Sequence, residues 1–180
     1  MLNIKKSIIV IIDEQEKLID AIHPSDNIVI NTAKLAKAAK ILSIPVIVTE
    51  QYPAGLGDTA DVLKNNLDEN TVFLEKSSFS AMNEPEFARR ITSYRRKQVL
   101  LCGIETHICV LQTALSLLEN GYDVYVLKDC CASRHSFEND IAFELLRQYG
   151  VGIISVEIAL FDLLETSKHT NFKEIQALVK

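Results

Sequence analysis

A cysteine at position 109, an aspartate at 13 and a lysine at 76 are the residues of this chain whose types and settings suit covalent chemistry. Cys109 lies in QVLLCGIETHICVLQTALSLLEN, residues 98–120. There an apolar run at 99–102 is broken by Gly103, and Ile108, Leu111, Leu115 and Leu118 then recur at helical spacing. The pattern reads as strand, tight turn and helix, with Thr106 as N-cap and Cys109 in the first helical turn. A thiol there feels the positive end of the helix dipole, which favours the thiolate. The unpaired amides of the same turn are placed to hold a developing oxyanion. A lone cysteine in a helix is also commonly just a small buried side chain.

Asp13 ends the β-branched run SIIVII, and Lys76 follows the short run at 71–74. Asp13, Lys76 and Cys109 thus each fall at or just past the carboxyl end of an expected strand, where open parallel sheets place their ligands. An acid, a cation and a thiol converging there suit acyl chemistry. The carboxylate takes the thiol proton and passes it to a leaving amine, while the lysine steadies both charges. Taken singly, Asp13 reads equally well as the N-cap of the EQEKLI segment, and Lys76 as a solvated loop lysine.

Around these residues the chain alternates. Strands are expected at 7–12, 45–49, 71–74, 99–102, 122–127 and 151–156, and helices at 27–42, 85–94, 108–118, 137–149, 159–164 and 172–179. EQYPAGLGDT and KDCCASR read as loops, and Gly150 as the residue closing the helix before it. Six buried strands separated by helices make an α/β fold, a doubly wound, mostly parallel sheet with helices on both faces, in one domain over residues 1–180. A hydrophobic fraction of 48% and a charged fraction of 24% are ordinary for a globular protein. The net charge of -5 argues against nucleic acid or an anionic membrane as partner. The N-terminal apolar run is too short and wrongly flanked for a signal peptide, and no run approaches a membrane span. Cys102, Cys109, Cys130 and Cys131 show no disulfide framework and no CxxC, which points to a reducing cytoplasm. Cys102, Cys130 and Cys131 read as packing residues. His23, His107, His135 and His169 form no metal-ligand set, so neither metal nor cofactor is expected.

IIVIID, LEKSSFSAM and GIETHICVLQTALSLLENGY together resemble the isochorismatase-like cysteine hydrolases. VLKDCCASR, IAFELLRQYGVGIISVEIALFDLL and the tail HTNFKEIQALVK resemble its isochorismatase domain-containing subgroup. The resemblance spans essentially the whole chain. It implies a catalytic triad of Asp13, Lys76 and Cys109. It also implies a non-proline cis peptide at Ile104–Glu105 and an oxyanion hole made by the amides of Glu105 and Cys109. Two departures bear on the substrate. Isochorismatases proper lack the cysteine nucleophile, so Cys109 points away from isochorismate. Nicotinamidases of the family carry an Asp-x-His metal site after the second strand, where this chain reads VTEQYPAGLG, with Glu50 and no histidine.

Gln15, Tyr52, Phe79 and Ile104 are candidate substrate-binding residues, since pockets are commonly lined by aromatic and apolar groups with a few polar ones. The expected activity is hydrolysis of a small amide or related carbonyl compound through a thioacyl intermediate, the partner being that small molecule. The alternative is a non-catalytic binding protein that keeps the fold, and a redox-sensing thiol is a third reading. The apolar segment IALFDLLETSKHTNFKEIQALVK either docks on its own chain or helps build a homo-oligomer.

Overall fold

Runs rich in isoleucine, valine and leucine pair into one sheet in the computed structural model, which describes residues 1–22 and 26–180 and, of Asp26, the backbone alone. His23 lies outside the described residues. The strands are β1 (Ser7–Ile12), β2 (Val46–Gln51), β3 (Val72–Lys76), β4 (Gln98–Ile104), β5 (Asp123–Ala132) and β6 (Gly152–Ile154), all parallel, in the order β3-β2-β1-β4-β5-β6. Every residue of β1 and β4 is buried, as central parallel strands covered on both faces require. The order reverses beside β1. The crevice at the carboxyl ends of β1 and β4 is therefore the switch point of the sheet.

The helices are α1 (Glu16–Ile19), α2 (Asp26–Leu42), α3 (Pro53–Leu56), α4 (Asp61–Lys64), α5 (Pro85–Ser93), α6 (Leu111–Glu119), α7 (Ser136–Gln148), α8 (Val156–Leu164) and α9 (Phe172–Val179). The C-terminal segment docks on its own chain. Leu160, Leu163, Leu164 and Ile175 are buried, and α8 and α9 pack on α2. No described helix is long and apolar enough to cross a membrane.

Boundaries differ from the sequence reading in several places. KDCCA, expected as loop, continues β5: Cys131 pairs with Gly103 and Ala132 with Ile104 beyond an irregularity in register. On its other side Gly103 lies close against β1, where at its φ of 124° a Cβ would lie 2.0 Å from the Ile12 carbonyl oxygen. β6 stops at Ile154 because the Ser155 side chain caps α8, accepting a bond from the Ile158 amide at 3.3 Å. β3 runs on to Lys76, making it the strand's last residue.

Candidate active site

Four strands contribute to one buried cluster. Asp13 follows β1 with φ 52°, a left-handed conformation that aspartate tolerates better than most residues. Its Oδ1 accepts from Thr49 Oγ1 of β2 at 2.6 Å, and its Oδ2 faces Lys76 Nζ at 2.7 Å. Lys76 comes from β3, so its long side chain reaches past β2 to Asp13. The same Nζ lies 2.5 Å from Gln51 Oε1, 3.2 Å from the Ser78 carbonyl, 3.4 Å from that of Phe79 and 3.5 Å from Cys109 Sγ. Cys109 arrives from the turn after β4. Asp13 is fully enclosed, Lys76 is 4% exposed and Cys109 7% exposed. The structure thus brings together the acid, the cation and the thiol selected from the sequence.

Two local expectations are corrected. Thr106 does not cap the helix. The chain leaves β4 through a π-helical turn, Thr106–Val110, in which the amides of Ile108 and Val110 both bond the Glu105 carbonyl. Thr106 is drawn inside that wider turn, and its buried hydroxyl has no hydrogen-bond partner among the described residues. Nor does the site favour a resting thiolate. Burial first, and then the neighbouring Asp13 charge, push the Cys109 thiol up to about 12 against the opposing pull of Lys76. Desolvation outweighs the helix terminus here. Burial also raises the Asp13 carboxyl, against the charge of Lys76 and hydrogen bonds from Lys76, Thr49 and Cys109. A thiol beside a carboxylate whose basicity burial has increased is set up to hand over its proton as the sulfur attacks, with no resting thiolate.

The Ile104–Glu105 peptide is cis. The Glu105 carboxylate receives the Arg134 amide at 2.9 Å and its Nε at 3.1 Å, while His107 Nδ1 lies 2.8 Å from Ser133 Oγ. Among the described residues no group of three or more His, Cys, Asp or Glu side chains is placed to hold a metal ion.

The remaining candidates separate. Gln15 is fully buried, and its amide braces a loop: Nε2 donates to the carbonyls of Gln51 (3.1 Å) and Gly57 (2.6 Å), and Oε1 accepts the Gln51 amide (2.7 Å). Ile104 packs in a small apolar cluster with Ile22 and Ile28. Tyr52 is exposed and lines a depression of about 350 Å³ with Pro53, Ala54, Glu75, Lys76 and Ser77. Phe79 is also exposed, and its carbonyl faces Lys76 Nζ. The sequence reading missed Thr49, Gln51 and Glu14. Thr49 and Gln51 stand on β2, between the strands that carry Asp13 and Lys76, and so had a positional signal.

A model of the isochorismatase domain matches residues 7–158. The chain belongs to the isochorismatase family. Isochorismatase domain-containing protein 2 of Danio rerio is 41% identical over 179 residues, covering 99% of this chain and 89% of that one. The secreted isochorismatase effector Isc1 of Phytophthora sojae (strain P6497) is 40% identical over 178 residues, covering 97% and 84%. Among solved structures, MAR1 ribonuclease from Caenorhabditis elegans superposes with a TM-score of 0.94 at 40% identity, covering 99% and 91%. Family membership makes a hydrolase the coarse expectation for this fold.

Proposed function

We propose that the protein is a cysteine hydrolase acting on a small amide or related carbonyl compound, with Cys109 as nucleophile, Asp13 as proton carrier and Lys76 as the fixed cation. The observation that carries this reading is one ammonium nitrogen lying 2.7 Å from the Asp13 carboxylate and 3.5 Å from the Cys109 sulfur, inside a closed site. Asp13 takes the thiol proton as sulfur attacks the carbonyl carbon. The tetrahedral oxyanion is held by the amides of Glu105 and Cys109. The C–N bond breaks as Asp13 returns that proton to the nitrogen, so ammonia or an amine leaves and a thioester remains. Water then gives one proton to Asp13 and its oxygen to the acyl carbon, and the sulfur recovers the proton.

No metal or cofactor takes part in this scheme, since the proton transfers run through Asp13. Four free cysteines suit a cytoplasmic setting. We also place the working form as a homo-oligomer, because Phe137 and Ile141 stand one turn apart on α7 at 60% and 47% exposure.

The name of the C. elegans relative favours a second reading, cleavage of RNA. A net charge of -5 weighs against it. The test is single-turnover intact-mass spectrometry with a panel of primary amides, including nicotinamide and carbamoyl compounds, and with RNA oligonucleotides as a separate arm. An acyl adduct that forms on the wild type and is absent from Cys109→Ala is expected. Turnover of any amide by Cys109→Ala at the wild-type rate would overturn the assignment.

A further inference from the structure

Immediately after Asp13 stands an acid the reaction does not use. Glu14 is fully buried. Its Oε1 accepts a hydrogen bond from Thr32 Oγ1 of α2 at 2.6 Å, and its carbonyl accepts the Ala60 amide at 2.9 Å. Its Oε2 is enclosed and has no hydrogen-bond partner among the described residues. The groups around it are Thr32 from α2, Cys102 from β4 and Cys130 and Cys131 from β5. Asp129 acts on Cys130 and Cys131 from the same strand. Among the described residues no lysine, arginine or histidine acts on Glu14, and Lys76 is engaged by Asp13. A carboxylate with one donor and no cation in such a place is poorly tolerated, so the group holds its proton.

From this geometry we infer that Glu14 is a positioning residue which, as an uncharged acid, ties the end of β1 to α2 and so keeps Asp13 on Cys109, and whose ionisation undoes that tie. The inference rests on the role proposed for Asp13. Burial pushes Glu14 up to about 8, just above neutrality. When the proton leaves, only solvent is available to Oε2, and admitting it separates β1 from α2. The first parts exposed are the three thiols behind the site, and the residue first displaced is Asp13.

The experiment follows both consequences with iodoacetamide. Wild type, Cys109→Ala and Glu14→Gln are alkylated in short pulses between pH 6 and 9.5, and adducts are located by peptide mass spectrometry. In the wild type near neutrality a single adduct is expected, on Cys109, whose proton Asp13 takes as the sulfur attacks the reagent, and it is missing from Cys109→Ala. Above about pH 8 adducts on Cys102, Cys130 and Cys131 are expected to appear, and to disappear when the protein is returned to pH 7 before the pulse. Glutamine keeps the shape and the Thr32 bond without the charge, so Glu14→Gln should give the single Cys109 adduct across the range. Core-thiol adducts that rise at the same pH in both proteins, or in neither, overturn the inference. A neutral-pH adduct that persists in Cys109→Ala overturns the nucleophile instead, and the extra adducts still decide on Glu14. Carbonyl NMR of the wild type with ¹³C-labelled glutamate needs no variant: one glutamate titrating near pH 8 is expected, and titration of all of them below pH 6 overturns the proposal.

Discussion

Asp13 and Glu14 are consecutive carboxylates at the end of β1, both enclosed, yet their surroundings differ in one respect. Asp13 meets a cation at 2.7 Å and a hydroxyl donor at 2.6 Å. Glu14 meets a hydroxyl donor at the same 2.6 Å and no cation among the described residues. Burial raises both. A single lysine therefore separates a carboxylate that can carry charge and move a proton from one whose structural value lies in staying neutral. Desolvation sets the baseline for both, and the strand that contributes the lysine decides which of them has a cation to offset it.

The widest gap between the two acids should appear in reactivity. Cys109→Ala removes the proposed nucleophile and should abolish adduct formation and turnover, while circular dichroism remains that of the wild type, since one small side chain changes. Asp13→Asn should slow acylation by about 10²–10⁴-fold, the range for losing a positioned proton carrier. Single-turnover rates measured by quenched mass spectrometry check both. An Asp13→Asn rate within a factor of about two of wild type would make the carboxylate a spectator.

Lys76→Met attacks the difference between the acids directly, because it leaves Asp13 in the position of Glu14. Breaking a buried pair from one side costs about 3–5 kcal/mol, and urea unfolding should show a loss of that size. The Asp13 carboxyl then sits higher in the folded chain than in the unfolded one. Its contribution is complete below the unfolded value and falls away as pH rises, so the deficit should deepen from pH 5 to pH 8. Asp13→Asn in the Lys76→Met background should recover part of it.

How much of this was readable before the structure follows from the kind of signal each residue gives. Residues 8–12 and 99–102 are unbroken apolar runs, so the central strands, and Asp13 beyond the first of them, were visible in the sequence. Lys76 and Cys109 were visible as reactive types beside such runs. Thr49 and Gln51 were hidden because they lie inside β2, and which strand separates Asp13 from Lys76 depends on strand order, a long-range property. Thr106 was misread because a π-helical turn and an ordinary first turn share one apolar spacing. KDCCA was misread because its polar letters resemble a loop, although pairing continues beyond a register irregularity that only the partner strand reveals. Glu14 carried no signal at all, since glutamate is ordinarily a surface residue.

Glu14→Gln tests the neutral member. Its folded value of about 8 stands above the ordinary 4.5, so its contribution to stability is complete below pH 4.5 and is lost as pH rises through 8. The wild type should lose stability across that window by an amount of order 4 kcal/mol as an upper figure, and Glu14→Gln should be flatter there. Urea midpoints at pH 5, 7 and 8.5 decide it: parallel curves for the two proteins would mean that Glu14 holds no proton.

The smallest expected effect concerns how Lys76 is held on the charged member. Gln51 gives Lys76 its shortest contact, 2.5 Å, and is itself fixed at three points. Its Nε2 donates to the Ser77 carbonyl at 2.9 Å, and its backbone amide and carbonyl are both bonded by the side chain of Gln15. The chain of contacts Gln15, Gln51, Lys76, Asp13 thus aims the ammonium from the strand between its own and that of the acid. Gln51→Leu removes one acceptor but leaves Asp13 and the carbonyls of Ser78 and Phe79, so the lysine stays paired and stability should change by only about 1 kcal/mol. Aim is the more sensitive quantity, because a small displacement of a charged group costs rate before it costs stability. Cys109 alkylation should slow by about tenfold, which corresponds to roughly 1.4 kcal/mol in the barrier. Gln51→Asn, a methylene shorter, should match Gln51→Leu in rate, because its acceptor falls short of Nζ. A wild-type rate for Gln51→Leu would mean that Asp13 and two carbonyls suffice to orient the lysine, and that the two glutamines serve the loop alone.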